Sequence, residues 1–378
     1  MDRAHPTTRH RVFFESAAHM TAVSSQSAHL VVTSPPYPMI AMWDEVFAGQ
    51  APRVAKALAR EDGPLAFEEM HRVLDAVWDE VARILAPGGL ACINIGDAAR
   101  SLGGIFRLYP NHARILDAFQ RRGLSVLPAV VWRKQTNAPN KFMGSGMLPA
   151  GAYVTLEHEY ILILRKGPPR RFASAVEKQA RRQSAFFWEE RNSWFSDVWF
   201  DLKGARQKLP NGESRMRSGA FPLELAHRLV AMYSVQGDTV VDPFAGTGTT
   251  LLAAMASARN SIGYELNPEF AALIRAQAAE IPKTANALIA RRLAAHEAFV
   301  REHSARKGPA RHTNRRYGFP VVTRQEIDLQ LHPLERVEAS AENVFVVHYG
   351  AAPRAPAHQT TAAAPAARGR ERILPGFA

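Results

Sequence analysis

Asp238-Thr239-Val240-Val241-Asp242-Pro243-Phe244-Ala245-Gly246-Thr247-Gly248-Thr249-Thr250 is the stretch whose reading decides the fold. An apolar run ends in an acid, passes through a Gly-x-Gly turn and opens into a helical segment. Glycines in such a turn let the backbone approach a ligand closely, and the free N–H groups of a helix start favour a carboxylate or phosphate. Glu265 closes the next apolar run, 19 residues beyond Gly246. In a βαβ unit that spacing puts a carboxylate at the tip of the second strand, within reach of both hydroxyls of a ribose. The expected ligand is therefore a small nucleoside cofactor. A dinucleotide would need Gly or Ala where Leu251 stands, and the Gly-x-x-x-x-Gly-Lys-Ser/Thr loop of a nucleotide triphosphatase is absent. Asp242 would repel a pyrophosphate and welcome a cation, which favours S-adenosylmethionine.

Outward from that loop, short apolar runs at residues 11–14, 29–33, 89–95, 124–132, 158–164, 238–242 and 261–265 alternate with amphipathic segments. The helical segments are 65–85, 112–122, 222–234, 249–258, 268–280 and a basic one at 284–303. This alternation predicts an α/β, Rossmann-like fold: a seven-stranded, mostly parallel sheet with helices on both faces. Leu85-Ala86-Pro87-Gly88-Gly89 reads as a helix stop followed by a strand start. Residues 38–64 read as a loop holding a helix, and the Ala/Pro/Arg-rich stretch 351–378 as a disordered tail.

The chain has 378 residues, 47% of them hydrophobic, too apolar for a disordered polymer. No window approaches the ~18 apolar residues of a membrane span, and the first 20 residues have no apolar signal core. Neither a span nor a secretory leader is expected. The single cysteine, Cys92, cannot form an internal disulfide, which fits the reducing cytoplasm. No histidine spacing suggests a metal site, and none is expected.

The net charge of +12 is concentrated in two stretches, 165–217 and 281–320, each carrying +7. A basic run is as often a solvated face as a binding site. The first stretch, however, also contains Phe172, Phe186, Phe187, Trp188, Trp194, Phe195, Trp199 and Phe200. Cations for phosphates beside flat rings for bases suit a nucleic-acid surface.

A second motif ends the run at 29–33: Thr33-Ser34-Pro35-Pro36-Tyr37. Consecutive prolines remove donors and stiffen the backbone, so the Ser34 hydroxyl and the Pro35 carbonyl can face one pocket as acceptors, with the Tyr37 ring as a wall. Such a pocket receives a flat amine. Here the sequence resembles the amino-directed DNA methyltransferases, whose catalytic motif is Ser/Asp/Asn-Pro-Pro-Tyr/Phe. Thr33 to Tyr37 looks like that motif, Asp242 to Thr250 like the cofactor loop, and Gly263-Tyr264-Glu265-Leu266-Asn267-Pro268 like the acidic strand end. Ser218-Gly219-Ala220-Phe221-Pro222-Leu223-Glu224-Leu225 is similar to the helix that precedes the cofactor loop and helps enclose the methionine part. The likeness covers residues 10–280, and the catalytic motif preceding the cofactor loop resembles the beta class.

The resemblance implies S-adenosylmethionine as cofactor and double-stranded DNA as substrate, with a cognate restriction endonuclease as a candidate companion. It implies catalytic roles for Ser34, Pro35, Pro36 and Tyr37. Asp242, Pro243, Phe244, Gly246, Thr247, Gly248, Thr249, Glu265, Phe221 and Pro222 would hold the cofactor. Ser-Pro-Pro-Tyr usually accompanies cytosine-N4 methylation in this family, ahead of adenine-N6. A non-catalytic DNA-binding protein would require damage in these motifs, which are intact; RNA or protein-amide methylation would more commonly show Asn-Pro-Pro-Tyr. The family's Gly-Asp pair after the first strand is replaced by Glu15-Ser16.

The implied organisation is a catalytic half at 1–166, a target-recognition insert at 167–217, a cofactor half at 218–282, a basic extension at 283–350 and the tail. The target base would flip out of the duplex and stack on Tyr37. Cys92 and Trp132 are each expected in the core. Asn94 and Asp97 either border the crevice or cap a turn, and Lys134 is a candidate DNA contact.

Overall fold

The computed structural model describes residues 6–134, 144–204, 207–208, 214–215, 221–340 and 343–351; the expected tail at 351–378, apart from its first residue, and Ser218 to Ala220 lie outside them. Ten strands form the main sheet: β1 (Thr7–Phe13), β2 (Ala28–Thr33), β3 (Leu85–Ile95), β4 (Leu124–Arg133), β5 (His158–Lys166), β6 (Val198–Trp199), β7 (Thr239–Asp242), β8 (Asn260–Tyr264), β9 (Leu334–Ala339) and β10 (Val344–Tyr349). Their order is β9-β10-β1-β8-β7-β2-β3-β5-β4-β6. From β1 to β3 every pairing is parallel, while β5 runs antiparallel to both β3 and β4. All seven expected strands are present in this sheet.

The central strands are nearly continuous apolar runs because both of their faces are covered. Alternate residues supply two core layers: Val31, Ile93, Leu162 and Val241 to one, Leu30, Cys92, Ile163 and Val240 to the other. α3 (Gly63–Ile84) and α4 (Asn111–Arg121) add Trp78 and Phe119 to the first layer. α7 (Leu223–Tyr233) adds Leu225 and Leu229 to the second, and α8 (Thr249–Ala256) packs beside α7. Cys92 is fully buried, and burial pushes its thiol up. The segment expected as a loop holding a helix forms α1 (Asp44–Gln50) and α2 (Pro52–Ala59).

Three differences from the sequence reading concern long-range packing. The sheet has ten strands rather than seven: Val344–Tyr349 pairs antiparallel with β1 and carries Leu334–Ala339 beside it, and Val198–Trp199 pairs in parallel with β4 at the other edge. Residues 334–349 of the expected extension therefore close one edge of the sheet. The helices expected at 268–280 and 284–303 are one helix of 38 residues, α9 (Phe270–Lys307), with Pro282 inside. An interior proline costs a helix about 3 kcal/mol; here Ala278, Ile281, Ala285 and Leu288 are buried on both sides of it and hold the helix together.

The third difference concerns the basic aromatic insert, which contains α5 (Ala175–Gln183) and α6 (Trp188–Trp194). Phe187, Trp194 and Trp199 are core residues rather than free faces for bases. Phe187 stacks on His296 of α9 at 4.0 Å and joins Tyr317, Phe319, Val321 and Leu329 in a separate apolar cluster. Phe187→Ala is expected to cost about 3–5 kcal/mol of stability, read by denaturant unfolding; a loss below about 1 kcal/mol would contradict this packing. Among the described residues, no helix is long and apolar enough to cross a membrane.

Candidate functional site

The parallel strands β1, β8, β7 and β2 end along one edge, where open α/β sheets bind ligands. At that edge β7 runs into the glycine turn, with Gly246 at φ +51° and Gly248 at φ +85°. Those left-handed values favour glycine. The turn is fastened to its neighbour strand: Ala245 N donates to Tyr264 O at 2.8 Å, and Gly246 N to Glu265 Oε2 at 2.8 Å. Glu265 Oε1 also accepts from Asn267 N at 2.9 Å. A carboxylate has about four acceptor positions, so two backbone donors leave room for further hydroxyls.

The two motifs meet although about 200 residues separate them. Thr33 Oγ1 donates to Asp242 Oδ1 at 2.5 Å, and Thr250 Oγ1 donates to Val32 O at 3.1 Å. Asp242 Oδ1 also accepts from Phe244 N at 3.0 Å. Above these residues lies a cleft of about 330 Å3. Of the expected cofactor residues, Asp242, Pro243, Phe244, Gly246, Thr247, Thr249, Glu265 and Phe221 line it, together with Ser34 and Pro36 of the second motif. Gly248 instead caps α8, Pro222 caps α7, and the Pro35 ring is buried. Glu15 and Ser16 also line the cleft, as does Glu269.

The cleft wall has four carboxylates, Glu15, Asp242, Glu265 and Glu269, and no lysine or arginine among the described residues. In a chain of net charge +12 this is a local reversal of sign, suited to a cation and hostile to phosphate. Burial pushes the Asp242 carboxyl up to about 6, against the hydrogen bonds from Thr250, Thr33 and Phe244 N. Burial also raises Glu265. A raised carboxyl contributes stability that is complete below its unfolded value and lost as pH rises through the folded one. Asp242→Asn, which cannot ionise, is therefore expected to be more stable than the parent at pH 8, by about 3 kcal/mol, and to lose that advantage toward pH 4. An advantage equal at both pH values would contradict the assigned cause.

The second motif rests on a buried polar network. Tyr37 is only 7% exposed, so its ring offers little face to the cleft. Its hydroxyl donates to Glu159 Oε2 at 2.9 Å and lies 3.1 Å from Ser34 Oγ. Asn94 Nδ2 donates to Tyr37 Oη at 2.9 Å and to Glu159 Oε2 at 2.7 Å, and Lys134 Nζ to Glu159 Oε1 at 2.8 Å. Lys134 thus pairs with a buried acid beside the motif. Sequence reasoning missed Glu159, which follows Glu157 and His158 at the polar start of β5 and gives no local signal of its role.

Asp97 neither lines the cleft nor caps the turn that follows it: it accepts from the backbone and ring of His112 at the start of α4, 15 residues further on. Trp132 is buried and donates to Leu202 O at 2.9 Å. Glu189, His296 and Glu326 bring potential metal ligands together under the insert. His296 instead bonds Glu189 and Pro320 O, and Glu326 accepts from Trp188 N and Thr323.

A glycine turn at the carboxyl ends of parallel strands, an acid at the neighbouring strand tip and a polar-aromatic motif on the same wall define an α/β enzyme built around a nucleoside cofactor. The DNA methylase family model matches residues 28–276, and the chain belongs to that family. The Type II methyltransferase M.MthZI of Methanothermobacter thermautotrophicus is 49% identical over 343 residues, covering 90% of this chain and 95% of its own. M.MjaI of Methanocaldococcus jannaschii is 47% identical over 71% of this chain and 90% of its own. Among solved structures, TTHA0409 of Thermus thermophilus in complex with S-adenosyl-L-methionine is 33% identical, with a TM-score of 0.57 over 72% of this chain and 94% of that one. The cytosine-N4-specific PvuII DNA methyltransferase shares the fold at 17% identity, with a TM-score of 0.50 over 71% of this chain and 88% of that one.

Proposed function

We propose that this chain transfers a methyl group from S-adenosylmethionine to the exocyclic N4 amine of cytosine in a specific duplex DNA sequence. S-adenosylmethionine is the cofactor. The acidic, lysine- and arginine-free cleft suits a sulfonium and repels a dinucleotide, and TTHA0409 was solved with this molecule. Glu265 is assigned to the ribose hydroxyls, the Gly246–Gly248 turn to close backbone approach, and Phe221 to the methionine end. When bound, the cofactor supplies a sulfonium methyl carbon open to in-line attack.

The observation that carries the assignment is Ser34 at the carboxyl end of β2, on the same cleft wall as Asp242. An aromatic amine is a poor nucleophile because its lone pair is delocalised into the ring. The Ser34 hydroxyl and the Pro35 carbonyl, accepting its two N–H groups, draw the nitrogen toward a tetrahedral shape and aim its lone pair at the methyl carbon. Positioning and fixed dipoles supply most of the rate. A base inside a duplex cannot reach such a pocket, so the cytosine is flipped out. With Tyr37 held below the surface, its exposed edge borders the base rather than offering a full stacking face.

Residues 167–217 are assigned to target recognition, with the exposed Phe195 and Phe200 available to DNA. The Type II names of the relatives support a role in restriction–modification, and the proposal places the chain in the cytoplasm with a cognate restriction endonuclease as companion. The test is to incubate the protein with mixed-sequence duplex DNA and methyl-labelled cofactor, then digest to nucleosides. Label in N4-methylcytosine is the expected result; label in N6-methyladenine would overturn the choice of base, and none on DNA would overturn the substrate.

A further inference from the structure

The two hydroxyls of the Ser34–Tyr37 pair have their hydrogen-bond directions set from behind, by a carboxylate the reaction has not yet used. Glu159 sits on β5, opposite the end of β3, and is nearly buried. Its Oε2 faces Tyr37 Oη and Asn94 Nδ2, and its Oε1 faces Lys134 Nζ. An ionised carboxylate only accepts hydrogen bonds. The single phenolic proton of Tyr37 therefore points at Glu159, and the Tyr37 oxygen is left as an acceptor. Asn94 Nδ2 donates to that oxygen from one side, and the Ser34 hydroxyl, 3.1 Å away, donates from the other. With its proton turned inward, Ser34 presents only lone pairs to the cleft. That is the polarity an incoming N–H group requires.

We propose that Glu159 is the positioning residue of this site: through Tyr37 it orients the Ser34 oxygen as an acceptor, and along the same chain it takes up the proton that methyl transfer releases. The proposal rests on the reading of Ser34 as the amine's acceptor. In the transfer step the amine nitrogen bonds the methyl carbon, and the electron pair of the broken carbon–sulfur bond stays on sulfur, leaving a neutral thioether. The nitrogen then carries one proton too many. That proton passes to Ser34 Oγ, the Ser34 hydroxyl proton to Tyr37 Oη, and the Tyr37 proton to Glu159 Oε2. The positive charge of the sulfonium and the negative charge of the carboxylate are cancelled together.

Two features favour this chain over a purely structural network. Burial and the neighbouring Glu159 charge raise the Tyr37 phenol well above its ordinary value, so Tyr37 enters the reaction holding the proton it must relay. Asn94 Oδ1 is buried with no hydrogen-bond partner among the described residues; the amide is held in the orientation that donates to Tyr37 and Glu159.

Single-turnover methylation, at saturating DNA and cofactor, tests the chain with Glu159→Gln, Tyr37→Phe, the double variant and Ser34→Ala. Each of the first two is expected to slow transfer about 10- to 100-fold, with cofactor and DNA dissociation constants within about twofold of the parent. The double variant is expected to be no slower than the slower single one, because both cut the same chain. A parent-like rate in either single variant, or penalties that multiply in the double one, would overturn the proposal. If Glu159→Gln fails to fold, Tyr37→Phe, which keeps the Glu159–Lys134 pair and the ring packing, decides alone. Ser34→Ala separates the two levels: an inactive Ser34→Ala beside a fully active Glu159→Gln sinks the chain and spares the site, whereas an active Ser34→Ala sinks the reading of the site itself.

Discussion

Ser34→Ala is expected to slow methyl transfer by about 10²- to 10³-fold while leaving S-adenosylmethionine affinity within about twofold of the parent. The magnitude is that of removing one preorganised polar group aimed at a developing charge. Ser34 contributes one of two acceptors for the amine, and the Pro35 carbonyl remains. The substitution removes one oxygen from a half-buried side chain and leaves no buried donor stranded, because Tyr37 still donates to Glu159 and accepts from Asn94. The Thr33–Asp242 contact that joins the two motifs is also untouched. Stability and the cofactor loop should therefore persist. Single-turnover rates with titration calorimetry of the cofactor check both halves; a variant that transfers at the parent rate, or one that loses the cofactor, would contradict the role assigned.

Glu265→Ala is expected to weaken cofactor binding by about 10²-fold or more. A hydrogen bond to a charged group is worth about 1.5–3 kcal/mol, and a ribose would make two. Alanine also releases Gly246 N and Asn267 N, which loosens the turn that the cofactor rests on. The rate at saturating cofactor should fall much less than the affinity, the reverse of the Ser34→Ala pattern. The same residue predicts a pH dependence. Burial raises the Glu265 carboxyl, so protonation removes an acceptor at a pH above the ordinary carboxylate range. Cofactor affinity should fall as pH drops through that raised value, and Glu265→Gln should flatten the fall. Parent-like affinity in Glu265→Ala would remove Glu265 from the cofactor site.

The parts of this account that were legible in the sequence are those in which local chemistry and tertiary role coincide. A strand buried on both faces must be continuously apolar, so β2, β3, β5 and β7 could be read directly. A turn with two left-handed residues must carry glycines, which marked Gly246 and Gly248. What stayed hidden depends on partners far away in the chain. Val344–Tyr349 is as apolar as any central strand, but only pairing with β1 makes it part of the sheet. Pro282 signals a helix break by local rules, and packing on both flanks overrides it. Phe187, Trp194 and Trp199 look like a base-stacking surface in a basic segment until α9 and the residues after it cover Phe187. Glu159 follows Glu157 and His158 at the polar start of β5, and its meaning comes from the antiparallel register that sets Tyr160 against Ile95 and so brings Glu159 to the end of β3. The burial of Tyr37 is hidden for the same reason: the motif announces an aromatic residue, but Glu159 and Asn94 decide where its hydroxyl is held.

The most direct measurement is a crystal structure of the protein with cognate duplex DNA and a cofactor analogue that cannot give up its methyl group. The account predicts a cytosine outside the helix, with its amino nitrogen within hydrogen-bond distance of both Ser34 Oγ and the Pro35 carbonyl oxygen and in line with the methyl carbon. A target base held with its amine turned away from those two oxygens, or a cofactor seated outside the acidic cleft, would contradict it.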